Sequence, residues 1–268
     1  MTDYKDKLYE KIAEVVSYVC NNPAIYFSET DIHVLMMKAL MEIGCLKRRY
    51  NTKCTIGRNY KGKASEYKYK TMLVHKEYGC NTGKRERSDI VIFDEQGVKS
   101  IDDPINLKNG KKYLTPKYIF EFGTEKISGK DKKKYTDHVK NDLEKLSECN
   151  DQGRGFLIHI HRNDAQGEND ETKKKYQKEI KDAWESWKSK VGEDKIKVKV
   201  LIFFVEIGVP NRVKLSKAQM FNPYPKNNKA ADWIKVNLKV IEKITMNFLK
   251  KDISDLAIII KSVKQKWN

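Results

Sequence analysis

The chain has 268 residues, of which 39% are hydrophobic and 34% charged, and its formal net charge is +17. No apolar run approaches the ~18 residues that span a bilayer, and the five scattered cysteines lack the spacing of a zinc site. These features argue against membrane-spanning proteins and cysteine zinc modules. We expect a cytoplasmic protein with no membrane partner, folded as a single α/β domain over 1–268. Its core would span about 28–207, with a basic C-terminal extension over about 208–268.

The positive charge is concentrated towards the C-terminus. From Lys195 onward there are 16 basic and 5 acidic residues. This surplus predicts a polyanionic partner, and nucleic acid, in particular double-stranded DNA, is the first candidate. Only 8 of the 54 basic residues are Arg. Since lysine suits phosphates whereas arginine suits bidentate reading of guanine, the composition favours binding of the nucleic-acid backbone.

Hydrophobic periodicity and turn residues predict the elements of the first half of the chain. In chain order they are a helix over 8–19, a helix over 28–43, an irregular basic loop over 47–63, a strand over 67–77, and strands over 88–94 and 118–123. Ser28 is expected to cap the second helix together with Asp31. A turn through 79–83 and an excursion over 102–110 would separate the three strands.

The second half continues with alternating helices and strands. The predicted elements are a helix over 131–148, a strand over 156–160, a helix over 171–190, a strand over 198–207 and a helix over 234–248. The segment 253–263 fits either a helix or a strand. In the first of these helices, His138, Asp142 and Lys145 fall at i, i+4 and i+7 and form a polar stripe.

Two acidic residues carry the candidate chemistry. Asp89 opens the apolar strand Ser-Asp-Ile-Val-Ile-Phe, and Glu121 lies within Tyr-Ile-Phe-Glu-Phe-Gly. A carboxylate inside an apolar strand is costly to bury unless it is paired or bound to a metal ion. The sequence therefore predicts a site formed by Asp89 and Glu121 on neighbouring strands.

The order helix, three strands, helix, strand over about 28–161 resembles the PD-(D/E)xK nuclease superfamily, which includes many type II restriction endonucleases. The resemblance implies a restriction-endonuclease-like core, in which a central mixed β-sheet is flanked by helices and carries peripheral additions. It also implies that Asp89 and Glu121 bind Mg²⁺, with Mn²⁺ able to substitute. The acidic residue that the family carries on its first core helix would be Glu29.

The chain departs from the family pattern at one position. The lysine expected two residues after the glutamate is Gly123. Lys126 is the nearest lysine in the same run, and Lys140 and Lys145 on the following helix are substitutes. The predicted catalytic set is therefore Asp89, Glu121, Glu29 and Lys126, with either helix lysine as a replacement for Lys126.

The resemblance implies a Mg²⁺-dependent endonuclease that hydrolyses the phosphodiester bonds of DNA, similar to a restriction enzyme. Double-strand cleavage would favour a homodimer. Gly123 leaves open an alternative, a catalytically degenerate nucleic-acid-binding protein on the same fold. A structural or assembly protein whose lysines only interact with solvent is a third hypothesis.

Overall fold

A seven-stranded mixed β-sheet flanked by helices forms the centre of the computed structural model. The described residues are 4–23, 28–58, 64–78, 87–99, 116–124, 132–148, 154–164, 170–192, 196–207, 217–223 and 231–250. The protein therefore has the α/β architecture expected from its alternating helical and strand patterns.

Seven helices and nine strands are assigned within the described residues. The helices are α1 (Lys5–Asn21), α2 (Glu29–Met41), α3 (Gly44–Lys47), α4 (Glu95–Lys99), α5 (Lys132–Glu148), α6 (Asp170–Val191) and α7 (Ile241–Lys250). The strands are β1 (Tyr50–Arg58), β2 (Ala64–Thr71), β3 (Val74–Tyr78), β4 (Ser88–Phe93), β5 (Pro116–Gly123), β6 (Arg154–Asp164), β7 (Val198–Ile207), β8 (Lys217–Asn222) and β9 (Asp232–Asn237). A short 3-10 helix, Leu238–Val240, leads into α7.

The strands of the large sheet lie in the order β3-β4-β5-β6-β7-β8-β9. β5, β6 and β7 are parallel to one another, whereas every other neighbouring pair is antiparallel. The three parallel strands are rich in buried Ile, Leu, Val and Phe, as expected for strands covered on both faces. β8 and β9, from the predicted C-terminal extension, continue this sheet.

Helices cover both faces of the sheet. On one face, Tyr9 of α1 packs against Phe156 of β6, and His33 of α2 packs against Phe122 of β5. On the other face, Leu146 of α5 lies over Gly155 of β6, the residue adjacent to Phe156. Because successive residues of a strand point to opposite faces, α1 and α2 lie opposite α5.

Most predicted elements of the core are confirmed, and three predictions are wrong. The strand predicted over 67–77 is two strands, because the chain breaks at Met72 and Leu73. β2 pairs with β1 in a separate two-stranded sheet, whereas β3 pairs with β4 at the edge of the large sheet.

The described part of the basic segment 47–63 is not an irregular loop, since residues 50–58 form β1, whose backbone pairs with β2. The helix predicted over 234–248 begins only at Ile241. Ile234 instead lies in β9 and pairs with Met220 of β8. In both places pairing with a neighbouring strand, which the local pattern does not reveal, determines the backbone conformation.

No helix among the described residues is both long and apolar enough to cross a membrane. Four predictions fall outside the described residues: the turn through 79–83, the excursion over 102–110, Lys126, and the segment 253–263.

Candidate metal centre

The candidate site begins at the N-terminus of α2. The Asp31 carboxylate accepts hydrogen bonds from the Ser28 backbone N–H at 2.9 Å and from the Ser28 hydroxyl at 3.0 Å. The predicted pairing of these two residues at the start of the helix is therefore confirmed. It fixes the first turn, so that Glu29 and His33, four residues apart, lie on the same side of α2.

Asp89 and Glu121 come from the adjacent antiparallel strands β4 and β5. Ile90 pairs with Phe120, so the next position along each strand places Asp89 across from Glu121. The Phe122 backbone N–H donates a hydrogen bond to Asp89 Oδ2 at 2.8 Å, which holds that carboxylate at the strand end. The Asp89 side chain is 13% exposed, whereas the Glu121 side chain is completely buried.

His33 lies between Glu29 of α2 and Asp89 of β4. Its Nε2 is 3.5 Å from Glu29 Oε1 and 3.5 Å from Asp89 Oδ2. One ligand atom from each of the three residues lies within 4.8 Å of the other two. Carboxylate oxygen and imidazole nitrogen atoms at such separations can bind one divalent cation.

Two buried groups support this assignment. Both ring nitrogens of His33 lack a hydrogen-bond partner among the described residues, although the side chain is only 4% exposed. Glu121 Oε1 is buried and also lacks a partner within the described part of the chain. Buried polar atoms are normally hydrogen-bonded, and a cation bound by Glu29, His33 and Asp89 would satisfy one of the two ring nitrogens of His33. The residues present therefore fit a divalent metal ion.

The second half of the site comes from α5. Lys145 Nζ lies 3.1 Å from Glu121 Oε2 and 3.0 Å from Asp142 Oδ1. Asp142 Oδ2 is 3.0 Å from His159 Nε2 and 3.2 Å from His138 Nε2. His138 Nε2 is in turn 3.8 Å from Glu29 Oε2. A continuous polar cluster therefore joins α2, β5, β6 and α5, and it contains the polar stripe predicted for α5.

Burial and the neighbouring charges shift the pKa values of Glu121, Glu29 and Lys145. Burial, with a further contribution from the Asp89 carboxylate, raises the pKa of Glu121 well above its usual value. Burial and Asp89 likewise raise the pKa of Glu29. Burial alone would lower the pKa of Lys145, but the carboxylates of Glu121 and Asp142 outweigh it and raise that pKa. Lys145 is therefore held in its charged form.

Gly123 cannot carry a side chain in this packing. It pairs with His159 of the parallel strand β6. A Cβ atom at position 123 would lie 2.4 Å from Cε1 and Nδ1 of the His159 ring. The imidazole therefore occupies the space beside the strand where a lysine at position 123 would begin. The amine that contacts Glu121 comes instead from Lys145 of α5.

The structure brings together Asp89, Glu121 and Glu29, and it adds Lys145, one of the two substitute lysines. Lys140 is exposed on α5, and no contact joins it to either strand acid. Lys126 lies outside the described residues. The catalytic roles of these residues remain predictions.

Neither His33 nor His159 was assigned to the site from the sequence. His33 had a usable signal, since it follows Glu29 by four residues on a helix, the spacing that places two ligands on one face. His159 had no local signal. Its position against Gly123 depends on the register between β5 and β6, which are separated along the chain by α5.

Comparisons with protein-family models, with curated proteins and with solved structures found no match to this chain. What the site does must therefore be argued from the chemistry of its residues.

Proposed function

We propose that the protein is a divalent-metal-dependent endonuclease that hydrolyses phosphodiester bonds of DNA, with a site of the PD-(D/E)xK kind. The observation that carries the proposal is the contact between the Lys145 amine and the buried Glu121 carboxylate, beside Asp89. Two strand carboxylates and an amine within reach of them are the groups that this chemistry requires. The source of the amine, α5 instead of position 123, accounts for the departure from the family pattern.

Glu29, His33 and Asp89 would hold the metal ion, with Glu121 on the strand side of the site. When bound, the ion would neutralise negative charge on the scissile phosphate and lower the pKa of a water molecule. Mg²⁺ prefers oxygen ligands, whereas an imidazole ligand suits transition metals. The presence of His33 therefore favours Mn²⁺ as the more effective of the two ions.

Lys145 would position the attacking water. Its ammonium group is fixed by two carboxylates, Glu121 and Asp142, at hydrogen-bond distances. A charged amine in this place stabilises a developing hydroxide through a charge-assisted hydrogen bond. Asp142 would act as a positioning residue, since it contacts both Lys145 and the His159 ring that fills the space beside Gly123.

The test is plasmid cleavage with Mn²⁺, Mg²⁺ or EDTA. We expect cleavage by the wild type with either ion and none with EDTA. Asp89→Ala and Glu121→Gln should each reduce the rate by at least about 10²-fold, since each removes a group that acts on the reacting phosphate. Glu77→Gln makes the same chemical change on the exposed end of edge strand β3 and should cleave normally.

A matched pair of variants on α5 tests the lysine. Lys145→Ala should reduce cleavage strongly, whereas Lys140→Ala, five residues earlier and exposed, should leave it unchanged. Cleavage that survives Asp89→Ala and Glu121→Gln would refute the proposed site. A wild type that retains DNA in a salt-sensitive manner but never cuts it would support the catalytically degenerate binding protein instead.

A further inference from the structure

The hairpin formed by β1 and β2 stands apart from the central sheet. Among the described strands, these two pair only with each other, as a two-stranded antiparallel sheet. The pairing runs without a break from Tyr50 and Thr71 to Ile56 and Ser65. With nine residues in β1 and eight in β2, the ribbon is roughly 25 to 30 Å long. It packs against α4 beside the start of β1.

This hairpin carries an unusually large share of the positive charge. Residues 47–71 contain nine basic residues and a single acidic one, Glu66. That surplus of eight is nearly half of the net charge of +17, in less than a tenth of the chain. Lys47, Arg48 and Arg49 at its base are exposed, and none forms an ion pair with a carboxylate among the described residues.

The register divides the hairpin into two unlike faces. Tyr50 is 4% exposed, and its hydroxyl donates a hydrogen bond to the Cys45 carbonyl at 2.9 Å, so its face lies against the protein. Asn51 and its partner Lys70 are exposed on the opposite face. Strand alternation places positions 53 and 68 on the same face as Asn51 and Lys70.

Two lysines on that second face are direct cross-strand partners. Lys53 pairs with Lys68. With Lys70, these positions put three lysines of the sequence on one face of the ribbon. Their charge would suit a polyanion bound to this face.

We infer that the hairpin of β1 and β2 is an arm that binds double-stranded DNA through its basic face. The choice of DNA as partner rests on the proposed function, whereas the location of the surface rests on the hairpin itself. A two-stranded β-ribbon fits the major groove of B-DNA, and lysines suit its phosphates. The surface is also distinct from the basic C-terminal region suggested by the overall charge distribution.

The hairpin reaches DNA to one side of the metal centre. The Phe93 backbone N–H donates to the Leu73 carbonyl at 2.9 Å, which ties the base of the hairpin to the end of β4. Asp89 lies at the other end of the same strand, about 13 Å away for four residues of strand. One duplex of a few turns is therefore long enough to span both surfaces.

The experiment is fluorescence anisotropy with a 30-base-pair duplex in EDTA, so that it reports binding without cleavage. Lys53→Ala/Lys68→Ala should weaken binding roughly tenfold and reduce the slope of log K against log salt by about 2, one phosphate contact for each lysine. The same variant should melt at an unchanged temperature, because both positions lie on the face of the hairpin opposite Tyr50. Weaker binding by a protein that is no less stable distinguishes a binding role from a structural one.

Two further double variants serve as controls for the Lys53→Ala/Lys68→Ala variant. Lys243→Ala/Lys250→Ala removes two exposed lysines of α7, in the basic C-terminal region, and should change affinity less than twofold. Arg48→Ala/Arg49→Ala, at the hairpin base, should weaken binding in the same direction as the strand variant. Affinity that is lost in the α7 variant but kept in both hairpin variants would overturn the inference, as would tighter binding of single-stranded DNA or RNA. If a hairpin variant loses self-association but keeps its affinity for DNA, the inference is refuted and the surface binds a second copy of the chain.

Failure of this inference and failure of the proposed function give different results. If the wild type cuts DNA and the hairpin variants bind DNA as tightly as the wild type does, the proposed nuclease site stands and the DNA-binding arm is refuted. If the hairpin variants bind DNA more weakly but the wild type never cuts it, the arm stands and the nuclease is refuted.

Discussion

At position 123, any side chain would collide with the His159 ring, and this single contact determines which element supplies the amine of the site. We expect Gly123→Ala to destabilise the protein by roughly 1–3 kcal/mol, as overpacking of a tight core position does. Urea denaturation would measure it. Gly44→Ala is the control, because a Cβ there meets nothing within 4 Å, and its effect should stay below about 1 kcal/mol.

A double-mutant cycle identifies the colliding atoms. In a His159→Ala background the ring is absent, so Gly123→Ala should cost clearly less than it does in the wild type. Equal costs in the two backgrounds would mean that the imidazole is not what excludes a side chain from position 123.

His33 gives a second prediction, on the identity of the metal ion. Because imidazole favours transition metals over Mg²⁺, His33→Ala should weaken Mn²⁺ binding by about 10- to 100-fold and Mg²⁺ binding much less. Isothermal titration of the two ions into the protein measures this without any cleavage assay. His75→Ala, which changes a histidine of β3 that contacts Thr71 and Met72, serves as the control. A parallel loss for both ions would refute the ligand role of the His33 ring.

The buried Glu121 carboxylate makes the stability of the metal-free protein depend on pH. Its pKa is raised when the protein is folded, so above about 4.5 the unfolded chain releases a proton that the folded chain keeps. Stability therefore falls as pH rises from that value towards the raised pKa. Glu121→Gln removes this contribution, and in EDTA it should melt at a higher temperature than the wild type at pH 8, with less difference near pH 4.

Added Mn²⁺ should reverse that order. A bound cation lowers the pKa of neighbouring carboxylates, so Mn²⁺ should raise the melting temperature of the wild type more than that of Glu121→Gln. Calorimetric melting across pH 4–8, with and without the ion, measures both effects. If the two proteins show the same pH dependence in EDTA, Glu121 is not the group that titrates.

At the scale of elements, the sequence predicted the core well because its elements carry strong local patterns. α5, α6, β4, β5 and β7 were predicted within one or two residues, since each has either a helical apolar stripe or a continuous apolar run. The capping pair at Ser28 also depends only on neighbouring residues.

The errors all depend on how strands pair with one another. The β1–β2 hairpin was missed because β1 lies in a basic segment that contains Gly57 and Gly62, a composition that also suits a loop. A single strand was predicted through Met72 and Leu73, although the chain passes there from the two-stranded sheet to the seven-stranded sheet. Similarly, the two acids of the site could be found from their apolar surroundings, whereas Lys145 and His159 were placed only by packing between elements.

α5 supports the site through one buried residue, which gives a fourth prediction. Asp142 is 1% exposed and contacts Lys145, His138 and His159. Asp142→Ala leaves the Lys145 ammonium and both imidazole rings without their shared carboxylate and should destabilise the protein by about 3–5 kcal/mol. Glu144→Ala, two residues further along α5 and 59% exposed, should cost less than about 1 kcal/mol. Comparable losses in urea denaturation would contradict the role assigned to Asp142.

At the scale of the whole molecule, the charge favours contact with the nucleic-acid backbone over reading of bases. The net charge of +17 comes mainly from lysine, with only 8 Arg among 54 basic residues. Lysine binds phosphate as a point charge, whereas arginine provides the bidentate geometry that distinguishes guanine. A nuclease built in this way would obtain its affinity from phosphates, and any sequence preference would come from few residues.

This balance predicts how binding responds to salt and to sequence. In EDTA, affinity for a 30-base-pair duplex should fall by at least about 10³-fold between 50 and 200 mM salt, as expected for six or more phosphate contacts. Unrelated duplexes of equal length should compete within about threefold of one another, since phosphates carry no sequence information. Competition anisotropy at both salt concentrations measures these quantities. One duplex bound about 100-fold more tightly than the others at 200 mM salt would contradict the prediction, because discrimination of that size requires direct base contacts worth about 1–3 kcal/mol each.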